Sequence, residues 1–161
     1  MDDLTGGHDR PAMAVTDGQA AALRAYLAPG PGPGEAERLY GQLAQAGGLD
    51  GYSEFALAAF VLAARRRFAP AWSRAEVIRF VAAVRGRLAG GTDIAPLAAE
   101  MIIRAALGDE VMPVGDEDTR GAAQIILLPE LITAGELDDA GLDDFIAAAR
   151  AQADLLLASR T

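Results

Sequence analysis

The segment Phe55-Ala-Leu-Ala-Ala-Phe-Val-Leu-Ala-Ala64 is the longest uninterrupted apolar run in the chain, and it constrains the fold more than any other stretch. A helix built from it is apolar on every side, and such a helix has to be surrounded by its neighbours. At ten residues the run is far short of the roughly 20 that a bilayer span requires. It therefore predicts the central helix of a soluble bundle, from Ser53 to Phe68. Arg65, Arg66 and Arg67 fall in its last turn, where cations face the negative end of the helix dipole.

The flanking segments supply further helices. Asp17 to Leu27 is expected to be helical, with Thr16 or Asp17 as N-cap and Leu23 and Leu27 on one face. Pro29 to Gly34 alternates proline and glycine. Pro31 and Pro33 remove amide donors and no strand precedes them, so the stretch reads as a turn or linker rather than a phosphate-binding loop. Glu35 to Ala46 resumes helix, with Leu39 and Leu43 one turn apart, and Gly47-Gly48 ends it.

After a corner from Phe68 to Trp72, Ser73-Arg-Ala-Glu76 has the form of a capping box, with Trp72 and Val77 placed as its hydrophobic staple. Val77, Val81, Val84 and Leu88 then make one stripe, with Arg79 nearly opposite and Arg74 and Arg85 on its flanks. Gly90-Gly91 should stop this helix. The next is expected from Ile94 to Leu107, with Asp93 as N-cap, Pro96 in the first turn and an i,i+4 pair of Glu100 and Arg104. Its expected buried face is Ile94, Leu97, Ala98, Met101, Ile102 and Ala105.

Beyond an acidic loop from Gly108 to Asp118, a helix from Thr119 to Leu128 meets Pro129, which should kink it or restart it through Thr133. Ile125 to Leu128 resembles a short buried strand, but no second such run exists to pair with it. The last helix, from about Gly141 to Ser159, should bury Leu142, Phe145, Ile146, Ala149 and Leu156. No internal repeat is visible. The expected fold is all-α, a single compact bundle of six or seven helices over residues 16–161, preceded by a flexible tail over residues 1–15. A chain of 161 residues buries roughly 70% of its unfolded surface, enough for a core without disulfide or metal. The acidic start, with no apolar stretch after it, is unlike a signal peptide, so the expected location is the cytoplasm.

The residue inventory excludes several chemistries. All 14 basic residues are Arg, Lys, Asn and Cys are absent, and 36 residues are Ala, a usage that reflects a GC-rich genome. Without Lys there is no Schiff base or P-loop lysine, and without Cys no thiolate nucleophile or sulfur-ligated metal. The single histidine, His8, lies in the tail, so Glu-x-x-His metal pairs and a histidine base are both missing. Asp116-Glu-Asp-Thr-Arg-Gly121 begins like an EF-hand loop, but Arg120 stands at the fifth position and Leu127 where a bidentate Glu belongs. The acids there are better read as helix N-terminal groups. Asp138/Asp139 and Asp143/Asp144 sit in a polar loop and a first helical turn, where capping explains them. No cofactor, metal or catalytic residue is expected.

Charge is the one property spread unevenly. Residues 54–90 hold seven Arg against Glu54 and Glu76, a net +5, between −4 before and −10 after, within a total of −9. The expected role is non-catalytic protein–protein contact, as an adaptor, regulator or accessory subunit, with an unidentified partner or through self-association. Arg65, Arg66, Arg67, Arg74 and Arg79 are its candidate residues. The same cluster also allows simple intramolecular pairing with the acidic C-terminal half. A DNA-binding regulator using the basic corner over residues 65–87 is the first alternative. It is disfavoured by the net charge and by the lack of a helix-turn-helix or ribbon-helix-helix context. A carboxylate-dependent enzyme is the second, and would need an acid with a raised pKa in a pocket.

Overall fold

Helix follows helix through the described residues of the computed structural model, 13–28, 34–88, 94–134 and 137–160, with no strand among them. The elements are α1 (Asp17–Leu27), α2 (Gly34–Gln45), α3 (Tyr52–Phe68), α4 (Arg74–Arg87), α5 (Pro96–Ala106), α6 (Glu117–Ala134) and α7 (Asp139–Ala158). The expectations for residues 1–12, including His8, for the 29–33 linker, for the Asp93 cap and for the Gly90-Gly91 stop lie outside the described residues. None of the described helices is long and apolar enough to cross a membrane.

Local chemistry starts the helices. Thr16 and Gln19 form a reciprocal capping box on α1: the Gln19 amide donates to Thr16 Oγ1 at 3.2 Å and Gln19 Oε1 accepts from the Thr16 amide at 3.1 Å. Ser73 and Glu76 do the same for α4, at 3.2 and 2.9 Å. Asp138 Oδ1 accepts from the Gly141 amide at 2.7 Å and caps α7. Asp116 accepts from the Thr119 amide at 2.7 Å and serves α6 in the same way.

Helix α3 takes the central place its sequence requires, packed against α5, α6 and α7. Phe55, Ala59, Phe60 and Ala64 are fully enclosed, while Leu57 remains partly open to solvent. One buried cluster reaches from Val15 to Leu157 and draws on every helix except α2. Val15 itself is buried and its amide donates to Asp154 Oδ1 at 2.8 Å, so the fold begins inside what the sequence marked as tail.

Pairings along α7 set its direction. Arg150 meets Asp17 at 2.7 Å and Arg24 meets Asp143 at 2.5 Å, so α1 runs antiparallel to α7. Arg160 pairs with Glu54 at the start of α3, and Arg66 lies over Phe145 at its end, so α3 is antiparallel to α7 as well. Helix α2 buries no residue; it leans on α1, where a Cβ added to Gly18 would stand 3.1 Å from Leu43 Cδ2. Gly51, at φ +82, turns the chain into α3 in a left-handed conformation that favours glycine, against the Leu157 side chain.

Two expected faces hold in part: Ile94 and Ala98 are buried at α5, and Leu142, Phe145, Ile146 and Ala149 at α7, but other positions differ. Helix α5 buries Ala98, Ala99, Glu100, Ile103 and Ala106, while Leu97 is 47% exposed. Small residues at 98 and 99 form the packed side, and Glu100 is tolerated there because arginines neutralise it. In α7 the residue turned inward is Leu157, seated beside Gly51, and Leu156 is exposed. Pro129 lies inside α6, which continues past it to Ala134 with Leu128 and Leu131 buried on either side.

Candidate functional site

The corner between α3 and α4 carries the five arginines singled out by the sequence, and they divide into three kinds. Arg65 Nε donates to the Ala106 carbonyl at 3.1 Å, satisfying an acceptor in the last turn of α5. Arg74 Nε donates to Glu100 Oε1 at 2.8 Å. These two act within the fold.

Arg66 and Arg67 meet aromatic faces instead of carboxylates. The Arg66 guanidinium lies 5.2 Å from the centroid of Phe145, and that of Arg67 lies 5.0 Å from Phe68 and 5.7 Å from Phe80. Phe68 and Phe80 are themselves edge to face at 5.5 Å, which fixes the platform under Arg67. A guanidinium over a ring is positioned by the ring's quadrupole while its charge stays available to an external anion. Arg79 is the third kind. It projects from the outer side of α4, exposed, and makes no hydrogen bond, ion pair or ring contact among the described residues.

The intramolecular pairing expected of the basic segment is real for Arg74 and for Arg87, which donates to Glu130 Oε2 at 2.6 Å. It does not extend to Arg66, Arg67, Arg79 or Arg85, none of which has a carboxylate partner among the described residues.

Beside this edge, α4 packs against α5 with an open cleft of about 310 Å3 between them. Ile78, Val81, Ala82 and Arg85 line it from α4, and Pro96, Leu97 and Glu100 from α5. Ile78 is 44% exposed and Leu97 47%, so the walls are apolar and open to solvent. Glu100 closes one end, only 7% exposed, between Arg74 and Arg104. Arg85 sits seven residues after Ile78 and therefore on the same side of α4.

The sequence reading missed the cleft, although Ile78 was visible as an isoleucine off the valine stripe. Leu97 could not be read correctly without the rotation of α5.

Three acids of the acidic loop and the start of α7 are engaged within the fold. Asp116 and Asp138 cap helices, Asp143 pairs with Arg24, and Arg120 folds back to donate to the Gly115 carbonyl at 2.7 Å. No group of three or more metal-ligating side chains occurs among the described residues. Among the described residues, three carboxyls are held below their ordinary range. Glu35 is lowered by its bond to Arg38, Glu54 by the Ser53 hydroxyl and then by Arg160, and Asp116 by Thr119. Such shifts favour the charged form, the reverse of what a general acid needs.

A comparison with known protein families, with curated proteins and with solved structures finds no match.

Proposed function

We propose that this chain works in the cytoplasm without chemistry of its own, as an adaptor, regulator or accessory subunit that docks on an acidic surface of a partner protein through the α3–α4 edge. The observation that carries this reading is the placement of Arg66 and Arg67 over phenylalanine rings, with no carboxylate partner among the described residues. Holding the guanidinium groups on rings in the free protein reduces the side-chain ordering that a partner would otherwise have to impose. Arg79, without a partner among the described residues, adds a charge farther along α4. Arg65 and Arg74 hold the edge in place, since each is bonded to α5.

The test is affinity capture from the native organism with the wild-type chain and with the triple variant Arg66→Glu, Arg67→Glu, Arg79→Glu. Proteins held by the wild type should be lost with the variant while its helical circular dichroism is unchanged. An identical captured set would overturn the role of the edge. A salt-sensitive gel shift of GC-rich DNA by the wild type, absent in the variant, would transfer the edge to the nucleic-acid reading.

A further inference from the structure

We infer that the α4–α5 cleft receives the loop after α5 from a second copy of this chain, with Met112 entering the cleft, so that copies join head to tail. Met112 is 83% exposed, more than any other large apolar side chain among the described residues. It sits between Asp109-Glu110 and Asp116-Glu117-Asp118, in a stretch with no basic residue before Arg120.

Apolar surface and charge both match. The cleft offers Ile78, Val81, Ala82, Pro96 and Leu97 to an apolar insert, and methionine is the unbranched, adaptable side chain suited to an irregular slot. At its rim stands Arg85, a cation with no partner among the described residues. Two residues before Met112 stands Glu110, exposed and likewise without a partner there. Asp109 is already taken by Arg104 at 2.7 Å, which leaves Glu110 as the nearest free carboxylate to meet Arg85.

In this fold Met112 stands in solvent and takes no part in lining its own chain's cleft, so the contact is between molecules. The cleft lies at the N-terminal half of α5, whereas the loop departs from its C-terminal end, about 13 Å farther along the axis at 1.5 Å per residue. Each copy carries one cleft and one separate plug, and joined head to tail these make a heterologous interface that continues into rings or open chains, whereas a reciprocal exchange about a two-fold axis would stop at the dimer. A single loop in a small cleft falls at the weak end of protein interfaces. This inference does not use Arg66, Arg67 or Arg79, so it stands or falls separately from the proposed docking edge.

Sedimentation velocity up to millimolar concentration tests it with three chains. The wild type should form a concentration-dependent series of species. Ile78→Asp, which spoils the cleft, and Met112→Asp, which spoils the plug, should each be monomeric alone. Mixed together, they should form one heterodimer and nothing larger, because a single intact cleft meets a single intact plug. Arg85→Glu, an exposed substitution with no internal bond to lose, should repeat the behaviour of Ile78→Asp and guard against misfolding. The inference is overturned if the wild type stays monomeric, if Met112→Asp associates like the wild type, or if the mixture forms no dimer.

Discussion

The Tyr26 hydroxyl of α1 donates to the Ile125 carbonyl of α6 at 2.7 Å. Ile125 lies four residues before Pro129, the position whose missing amide would ordinarily bond that same carbonyl. A side chain from another helix thus supplies the donor that the proline removes, and α6 runs on to Ala134. Tyr26→Phe should therefore cost about 1 kcal/mol by urea unfolding. In a Pro129→Ala background, where the backbone donor returns, the same change should cost less than half as much. An additive double-mutant cycle would show that the two donors are unrelated.

Gln19 performs a comparable task between α1 and the turn before α3. Fully buried, it donates through Nε2 to the Gly48 carbonyl at 2.9 Å and to the Asp50 carbonyl at 2.8 Å, while its Oε1 serves the α1 capping box. Gln19→Leu keeps the volume but leaves these backbone groups without their partner. The expected loss is about 2–3 kcal/mol. Gln19→Glu keeps the acceptor and loses both donors, so it should be no milder. A denaturation midpoint unchanged from wild type in either variant would remove this tie from the account of the fold.

Arg104 and Arg74 share the carboxylate of Glu100 but stand in different surroundings. Arg104 is mostly enclosed and also holds Asp109, whereas Arg74 is largely in solvent. Arg104→Ala should destabilise by about 2–3 kcal/mol, because it strips a buried carboxylate of its inner cation. Arg74→Ala should cost less, about 1 kcal/mol, because its guanidinium stays largely in solvent and Arg104 still faces Glu100. Equal losses measured by chemical unfolding would mean that burial is not what separates them.

These relationships explain which parts of the fold were legible in the sequence. The place of α3 follows from ten consecutive apolar residues, and the start of α4 from Ser73 and Glu76, both local properties. The rotation of α5 is not local. Ala98 and Ala99 carry little hydropathy, and Glu100 is buried between Arg104 of its own helix and Arg74, which arrives from another helix. Three successive leucines, Leu155 to Leu157, place apolar groups on most sides of α7, and Gly51 decides which one turns inward. The positions of the arginines were readable; whether each meets a carboxylate, a ring or solvent depends on residues far away in the chain.

Alkaline pH isolates one further group. The chain has neither Lys nor Cys, and Arg stays protonated, so its three tyrosines are the side chains that titrate above about pH 9. Tyr52 packs edge to face with Tyr40 at 5.5 Å and near Phe55 at 6.3 Å, and burial, followed by the charges of Tyr40 and Tyr26, pushes its phenol up to about 12. Burial raises Tyr26 as well. In the unfolded chain a phenol ionises near 10, so the unfolded state releases its proton first. The stability contributed by neutral Tyr52 is thus complete below about pH 10 and is lost as pH rises toward about 12. Urea midpoints should fall through that window in the wild type. They should fall less steeply in Tyr52→Phe, which keeps the ring and has no proton to lose. Parallel slopes in the two proteins would place the alkaline sensitivity elsewhere than at Tyr52.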